Sequence, residues 1–164
     1  MSGTTVTVVT DGSVRTEKNG EPGHLAGWAF VARLPGRTVS IGKMGRSREA
    51  PRSTLFERRA IYEALEWLHG ELGDRARSSR VVVETDYKNV VDAHRSRWRG
   101  TLVRLVSRFE AVELRWVGRG GVREAHLVLS GMTSVLREEP ERQLALVHLD
   151  QPTASPETSL SAAG

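Results

Sequence analysis

The chain has 164 residues, 38% of them hydrophobic and 27% charged, enough to bury one core and too few for two ordinary domains. It contains no cysteine, which excludes disulfides, a disulfide-linked partner, thiolate metal sites and a cysteine nucleophile, so any metal must sit on oxygen or imidazole. The net charge of +4 is uneven: residues 1–136 carry +7 and residues 137–164 carry −3, a basic body suited to a polyanion, although 21 of the 24 basic residues are Arg, a skew that GC-rich coding also produces.

Residues 4–10, TTVTVVT, are β-branched throughout and run into Asp11-Gly12, a turn signal, so a buried strand with an acid at its end is predicted. Residues 13–23 are polar and rich in turn formers and read as a loop. The stretches 25–33 and 38–44, separated by Leu34-Pro35-Gly36-Arg37, read as a β-hairpin. From Ser53 the period changes: Leu55, Ile61, Ala64, Leu65, Leu68 and Leu72 recur at helical spacing. Arg80–Thr85 is a short β-branched run ending at Asp86 and reads as a second buried strand. Short helices are expected over 87–96 and 101–109, and a half-exposed strand over 112–117, where apolar and polar residues alternate. After the glycines at 118, 120 and 121, a last helix begins near Val122, with Ala125, Val128, Leu129, Met132 and Leu136 on one face.

Beyond Leu136 the chain turns acidic, and Pro140, Pro152 and Pro156 interrupt it. One domain over 1–136 is therefore expected, followed by a partly disordered tail over 137–164 in which Gln143–Leu149 is apolar enough to dock on the body. No apolar run approaches the roughly 20 residues that span a bilayer, and the MSGTTVTVV start lacks a signal-peptide layout, so a cytoplasmic protein with no membrane partner is the expectation.

Two acids, Asp11 and Asp86, each follow a β-branched run. Where neighbouring strands are parallel, their carboxyl ends gather ligands, so the two acids can face one crevice; each can equally start a turn or cap a helix. Glu57 shares a helix face with Ile61, Ala64 and Leu68, where a carboxylate needs a partner, yet Thr54-Leu-Phe-Glu57 also matches a capping box. Three carboxylates in one crevice would repel unless a cation neutralised them, and hard oxygen ligands favour magnesium or manganese. A pair of such ions roughly 4 Å apart supports phosphodiester hydrolysis.

Four motifs in succession, Val8-Val-Thr-Asp11-Gly-Ser13, Thr54-Leu-Phe-Glu57, Val83-Glu-Thr-Asp86 and Leu114-Arg-Trp-Val117, resemble those of type I ribonuclease H in order and spacing. The resemblance implies an α/β fold with a mixed five-stranded sheet, three antiparallel strands then two parallel, and helices on both faces. It implies a metal-dependent endoribonuclease cutting the RNA strand of RNA/DNA hybrids. Asp11, Glu57 and Asp86 would hold two magnesium or manganese ions, and Glu57 would also sense the ribose 2′-hydroxyl. Gly12, Ser13, Arg52, Ser53, Thr54 and Lys88 would contact nucleic acid. The family's fourth carboxylate aligns with His126, an imidazole that tilts preference towards manganese, with Glu124 as fallback ligand. The family's loop histidine aligns near Gly120 and is missing; Arg95–Arg99 is either a replacement for the basic handle of some members or a segment whose Trp98 simply packs between helices. The implied partner is a hybrid and the implied state a monomer. The alternatives are a binding module of this fold without turnover, and a nuclease for another nucleic acid.

Overall fold

The computed structural model describes residues 3–17, 23–88 and 101–153. The β-branched start of the chain forms β1, Thr5–Thr16, at the centre of a sheet. The hairpin follows as β2, His24–Leu34, and β3, Arg37–Ser47, joined through Gly36, whose φ of +80° suits a residue without a side chain. Helix α1, Ser53–Leu72, crosses one face of the sheet and leads through a 3₁₀ turn, Gly73–Ser78, into β4, Arg80–Thr85. Helix α2, Thr101–Val106, then precedes β5, Ala111–Trp116. A second 3₁₀ turn, Arg119–Val122, opens into helix α3, Arg123–Glu138, and β6, Leu144–Pro152, closes the described chain. The helix expected over 87–96 and the segment Arg95–Arg99 fall largely or wholly outside the described residues.

The strand order is β5-β4-β1-β2-β3-β6. β1 pairs parallel with β4, and β4 parallel with β5, while β1, β2, β3 and β6 pair antiparallel. The five-stranded expectation is thus corrected to six: the segment assigned to a tail from residue 137 re-enters the sheet and pairs with β3 from Gly45↔Leu144 to Arg37↔Pro152. Leucines point to both sides of β6 and obscure its alternation, and Pro152 ends the strand rather than interrupting it. Ala145 is buried with Met44, Leu129 and Leu136 beneath α3.

The sheet carries apolar layers on both faces. Val6, Val8, Phe30, Val81 and Val83 pack against Ile61, Leu65 and Leu68 of α1 and Leu105 of α2. On the other face Leu25, Ala29 and Met44 meet Leu129, Met132 and Leu136 of α3, and Val9 and Val31 meet Val122 and Ala125. This two-sided burial explains why β1 reads as a continuous β-branched run, with Val8 and Val9 adjacent, rather than a strict alternation.

One boundary differs in a way that matters. Asp11 lies in the interior of β1, not at its end. The parallel pairing with β4 stops at Val9↔Glu84, whereas the antiparallel pairing with β2 continues to Thr16↔His24. Asp11 therefore stands where β1 outruns its neighbour, and a crevice opens beside it.

Candidate active site

The crevice has a volume of about 540 Å³ and is lined by Asp11, Gly12, Ser13, Glu57 and Asp86 on one side and by residues of the second 3₁₀ turn and the start of α3 on the other. β1 presents Asp11 on the face towards α3. Gly12, the next residue, points the other way, against α1. A Cβ at position 12 would lie 2.3 Å from the carbonyl carbon of Phe56 and 2.4 Å from the Glu57 nitrogen, so the strand and the helix approach this closely only because that atom is absent.

Glu57 opens the second turn of α1 and is buried. The helix has its N-cap at Arg52 with no side-chain capping bond; instead the Arg52 carbonyl accepts a hydrogen bond from the Leu55 amide at 3.0 Å. The capping-box reading of Thr54-Leu-Phe-Glu57 is therefore not realised. The Glu57 carboxylate turns to the crevice, where its Oε2 atom is buried without a hydrogen-bond partner among the described residues.

Asp86 is held by the end of β4 and by β5. The Val117 amide donates to the Thr85 carbonyl at 2.8 Å, the Tyr87 amide to Thr85 Oγ1 at 3.2 Å, and the Trp116 indole N–H to the Asp86 carbonyl at 3.3 Å. Trp116-Val117 thus earns its place beside the acids by pinning the turn that carries Asp86, a role that only the pairing of β5 with β4 reveals.

One carboxylate oxygen from each of Asp11, Glu57 and Asp86 lies within 4.8 Å of the others. Burial pushes the Asp11 carboxyl up to about 6, and the Asp86 charge adds to this; His126 and the Gly12 amide oppose it. Burial likewise pushes Glu57 up to about 8, reinforced by Asp11 and Asp86 and opposed by the Gly12 amide. An acidic cluster this crowded, with an orphaned buried oxygen, has the donor chemistry of a hard divalent cation site: oxygen only, anionic, and incomplete without a counter-charge.

His126, in the first turn of α3, reaches the cluster from its open side, with Nδ1 3.4 Å from Asp11 Oδ2 and the side chain 57% exposed. Glu124, the fallback ligand, turns away and is paired with Arg33. Gly12 and Ser13 line the crevice. Arg52, Ser53 and Thr54 stand outside it at the entry to α1, with Arg52 and Ser53 exposed, and Lys88 is exposed two residues beyond Asp86. Two residues of the wall were not singled out from the sequence, Arg119 and Arg123. The only signal for them was their place beside the glycines before the last helix.

The fold has counterparts among solved structures. The crystal structure of LC9-RNase H1, a type 1 RNase H with the type 2 active-site motif, superposes with a TM-score of 0.54 at 22% identity, over 78% of this chain and 71% of that one. The chain has the type 1 ribonuclease H fold. LC11-RNase H1, isolated from compost by a metagenomic approach, shares this ribonuclease H fold with a TM-score of 0.54 at 17% identity, over 78% of this chain and 93% of that one. The structure of LC11-RNase H1 in complex with an RNA/DNA hybrid gives 0.53 at 20% identity, over 74% and 91%. No protein-family model matches the sequence, and no curated protein matches it. The ribonuclease H fold is thus retained here at low sequence identity.

Proposed function

We propose that this chain is a metal-dependent endoribonuclease that hydrolyses the RNA strand of RNA/DNA hybrids. The observation that carries the reading is the convergence of Asp11, Glu57 and Asp86 within 4.8 Å, with Glu57 Oε2 buried and unpartnered. The LC11-RNase H1 structure that shares the fold was obtained with a hybrid bound, which supports the choice of substrate.

In this reading Asp11, Glu57 and Asp86 would together hold two magnesium or manganese ions. When bound, such ions activate a water and stabilise the leaving oxygen of a phosphodiester. The chain's own part is positioning. Gly12 lets α1 close on β1, and the hydrogen bonds of Thr85, Val117 and Trp116 fix the turn carrying Asp86. His126 steadies Asp11 from the solvent side and assists as a ligand. Gly12 and Ser13 border the backbone of the nucleic acid, with Arg52, Ser53, Thr54 and Lys88 gripping it further out. The basic body favours such a partner, since neutralised phosphates release counterions. We take the protein to act as a cytoplasmic monomer, with residues 1–136 carrying the chemistry.

The test is cleavage of labelled RNA/DNA hybrid, duplex RNA and duplex DNA side by side in magnesium and in manganese. Cleavage confined to the RNA strand of the hybrid, and abolished in Asp11→Asn, is expected. Undiminished cutting by that variant would overturn the assignment, and binding of hybrid with no cutting in either metal would mark a recognition module.

A further inference from the structure

The wall of the crevice opposite the carboxylates carries two cations. Arg119 comes from the 3₁₀ turn and Arg123 from the first residue of α3, and both are exposed. Among the described residues neither is ion-paired, although three carboxylates line the same crevice; Glu124, next to Arg123 in sequence, is engaged by Arg33. The two signs of charge are thus held apart on facing walls instead of cancelling.

The turn that carries Arg119 is anchored on one side and open on the other. The Gly121 amide donates to the Gly118 carbonyl at 2.8 Å. A Cβ on Gly121 would lie 2.7 Å from the Val117 side chain, so that glycine is needed for the turn to fold against the residue that also pins Asp86. A Cβ at 118 or 120 would meet nothing within 4 Å, so the turn is uncrowded on either side of Arg119, which lines the crevice.

We infer that Arg119 and Arg123 form a two-guanidinium clamp for phosphate oxygens of the nucleic acid strand seated on the carboxylate cluster. Guanidinium presents paired N–H donors that match phosphate oxygens and keeps its charge at every working pH, so the clamp holds phosphate and does not carry protons. Among the described residues His126 is the one histidine lining the crevice, and it stands at Asp11. The 3₁₀ turn therefore contributes fixed positive charge in place of a titrating group. This inference rests on the nuclease reading for the identity of the strand.

The experiment measures equilibrium binding of a labelled RNA/DNA hybrid in metal-free buffer over a range of salt, for the wild type, Arg119→Ala/Arg123→Ala and Arg119→Lys/Arg123→Lys, with thermal midpoints as a folding control. The alanine pair is expected to weaken binding on the order of 10-fold or more and to reduce the slope of log K against log salt by about 2, while the lysine pair keeps the slope. In magnesium the alanine pair raises KM more than it lowers kcat. Wild-type affinity and slope in the alanine pair would overturn the clamp while leaving the nuclease reading intact if the wild type cuts hybrid. A reduced slope in the alanine pair, beside a wild type that binds hybrid but cuts nothing, would leave the clamp and overturn the nuclease. A wild type that binds no hybrid overturns both.

Discussion

Gly12 and Glu57 are in backbone contact across the β1–α1 junction: a Cβ on residue 12 would stand 2.4 Å from the Glu57 nitrogen. Real Cβ atoms do not come this close, so any side chain at 12 must push the strand and helix apart. Gly12→Ala is expected to cost about 1–3 kcal/mol by overpacking. The same displacement withdraws Glu57 from Asp11 and lowers hybrid cleavage on the order of 100-fold. Thermal unfolding and cleavage assays on the same sample check both.

A metal bound at the cluster would compete with protons. The carboxyls of Asp11 and Glu57 rise from their ordinary 3.8 and 4.5 to about 6 and about 8. Between those limits the native state binds more protons than the unfolded chain, so without metal its stability falls as pH rises. Thermal midpoints in chelator should drop from about pH 5 to about pH 8, and the increase on adding magnesium or manganese should grow over the same interval. A metal-induced increase that is constant with pH would contradict the cluster's role. Glu57→Gln removes the buried charge, and should raise the chelated midpoint at about pH 8 while losing metal binding and activity.

Glu124 and His126 are two residues apart but face different surroundings. Glu124 pairs with Arg33 in an exposed contact, so Glu124→Ala should leave cleavage unchanged and cost less than about 1 kcal/mol. His126→Ala removes the group 3.4 Å from Asp11 and should lower cleavage, more at limiting metal than at saturation. Equal effects of the two substitutions would mean that the identity of the assisting residue has been misjudged.

The docking of β6 can be read from two neighbouring positions. Ala145 is 3% exposed beneath α3, whereas Leu146 is 65% exposed. Ala145→Asp buries an unpaired carboxylate and should cost about 3 kcal/mol or more, while Leu146→Asp should stay within about 0.5 kcal/mol of the parent. Denaturant titration of the two variants separates a strand built into the sheet from one resting on it.

The elements that local chemistry specifies were legible in the sequence. β-branched runs marked β1 and β4, Pro35-Gly36 marked the hairpin turn, and helical periodicity marked α1 and α3. Asp11 and Asp86 could be named because each follows a β-branched run, and Glu57 because it shares a helix face with Ile61, Ala64 and Leu68; resemblance to a known order of motifs joined them. Local pattern left open whether Thr54-Leu-Phe-Glu57 was a cap, since a capping box and a crevice-facing acid share the same spacing. It could not place Arg119 and Arg123 on the facing wall, because nothing within the turn says what lies across from it. β6 was hidden because leucines on both faces look aperiodic until β3 and α3 assign one face to burial.

Sequence alone determined which residues carry charge and which segments can become strands or helices, because those properties depend on side chains and near neighbours. The tertiary structure alone decided that β1 extends past β4, and so opened a crevice at Asp11. It also decided that Gly12 admits α1 to bring Glu57 there, and that a sixth strand completes the sheet. These are contacts between residues far apart in the chain, and their geometry exists only once strand pairing and helix packing have been satisfied together.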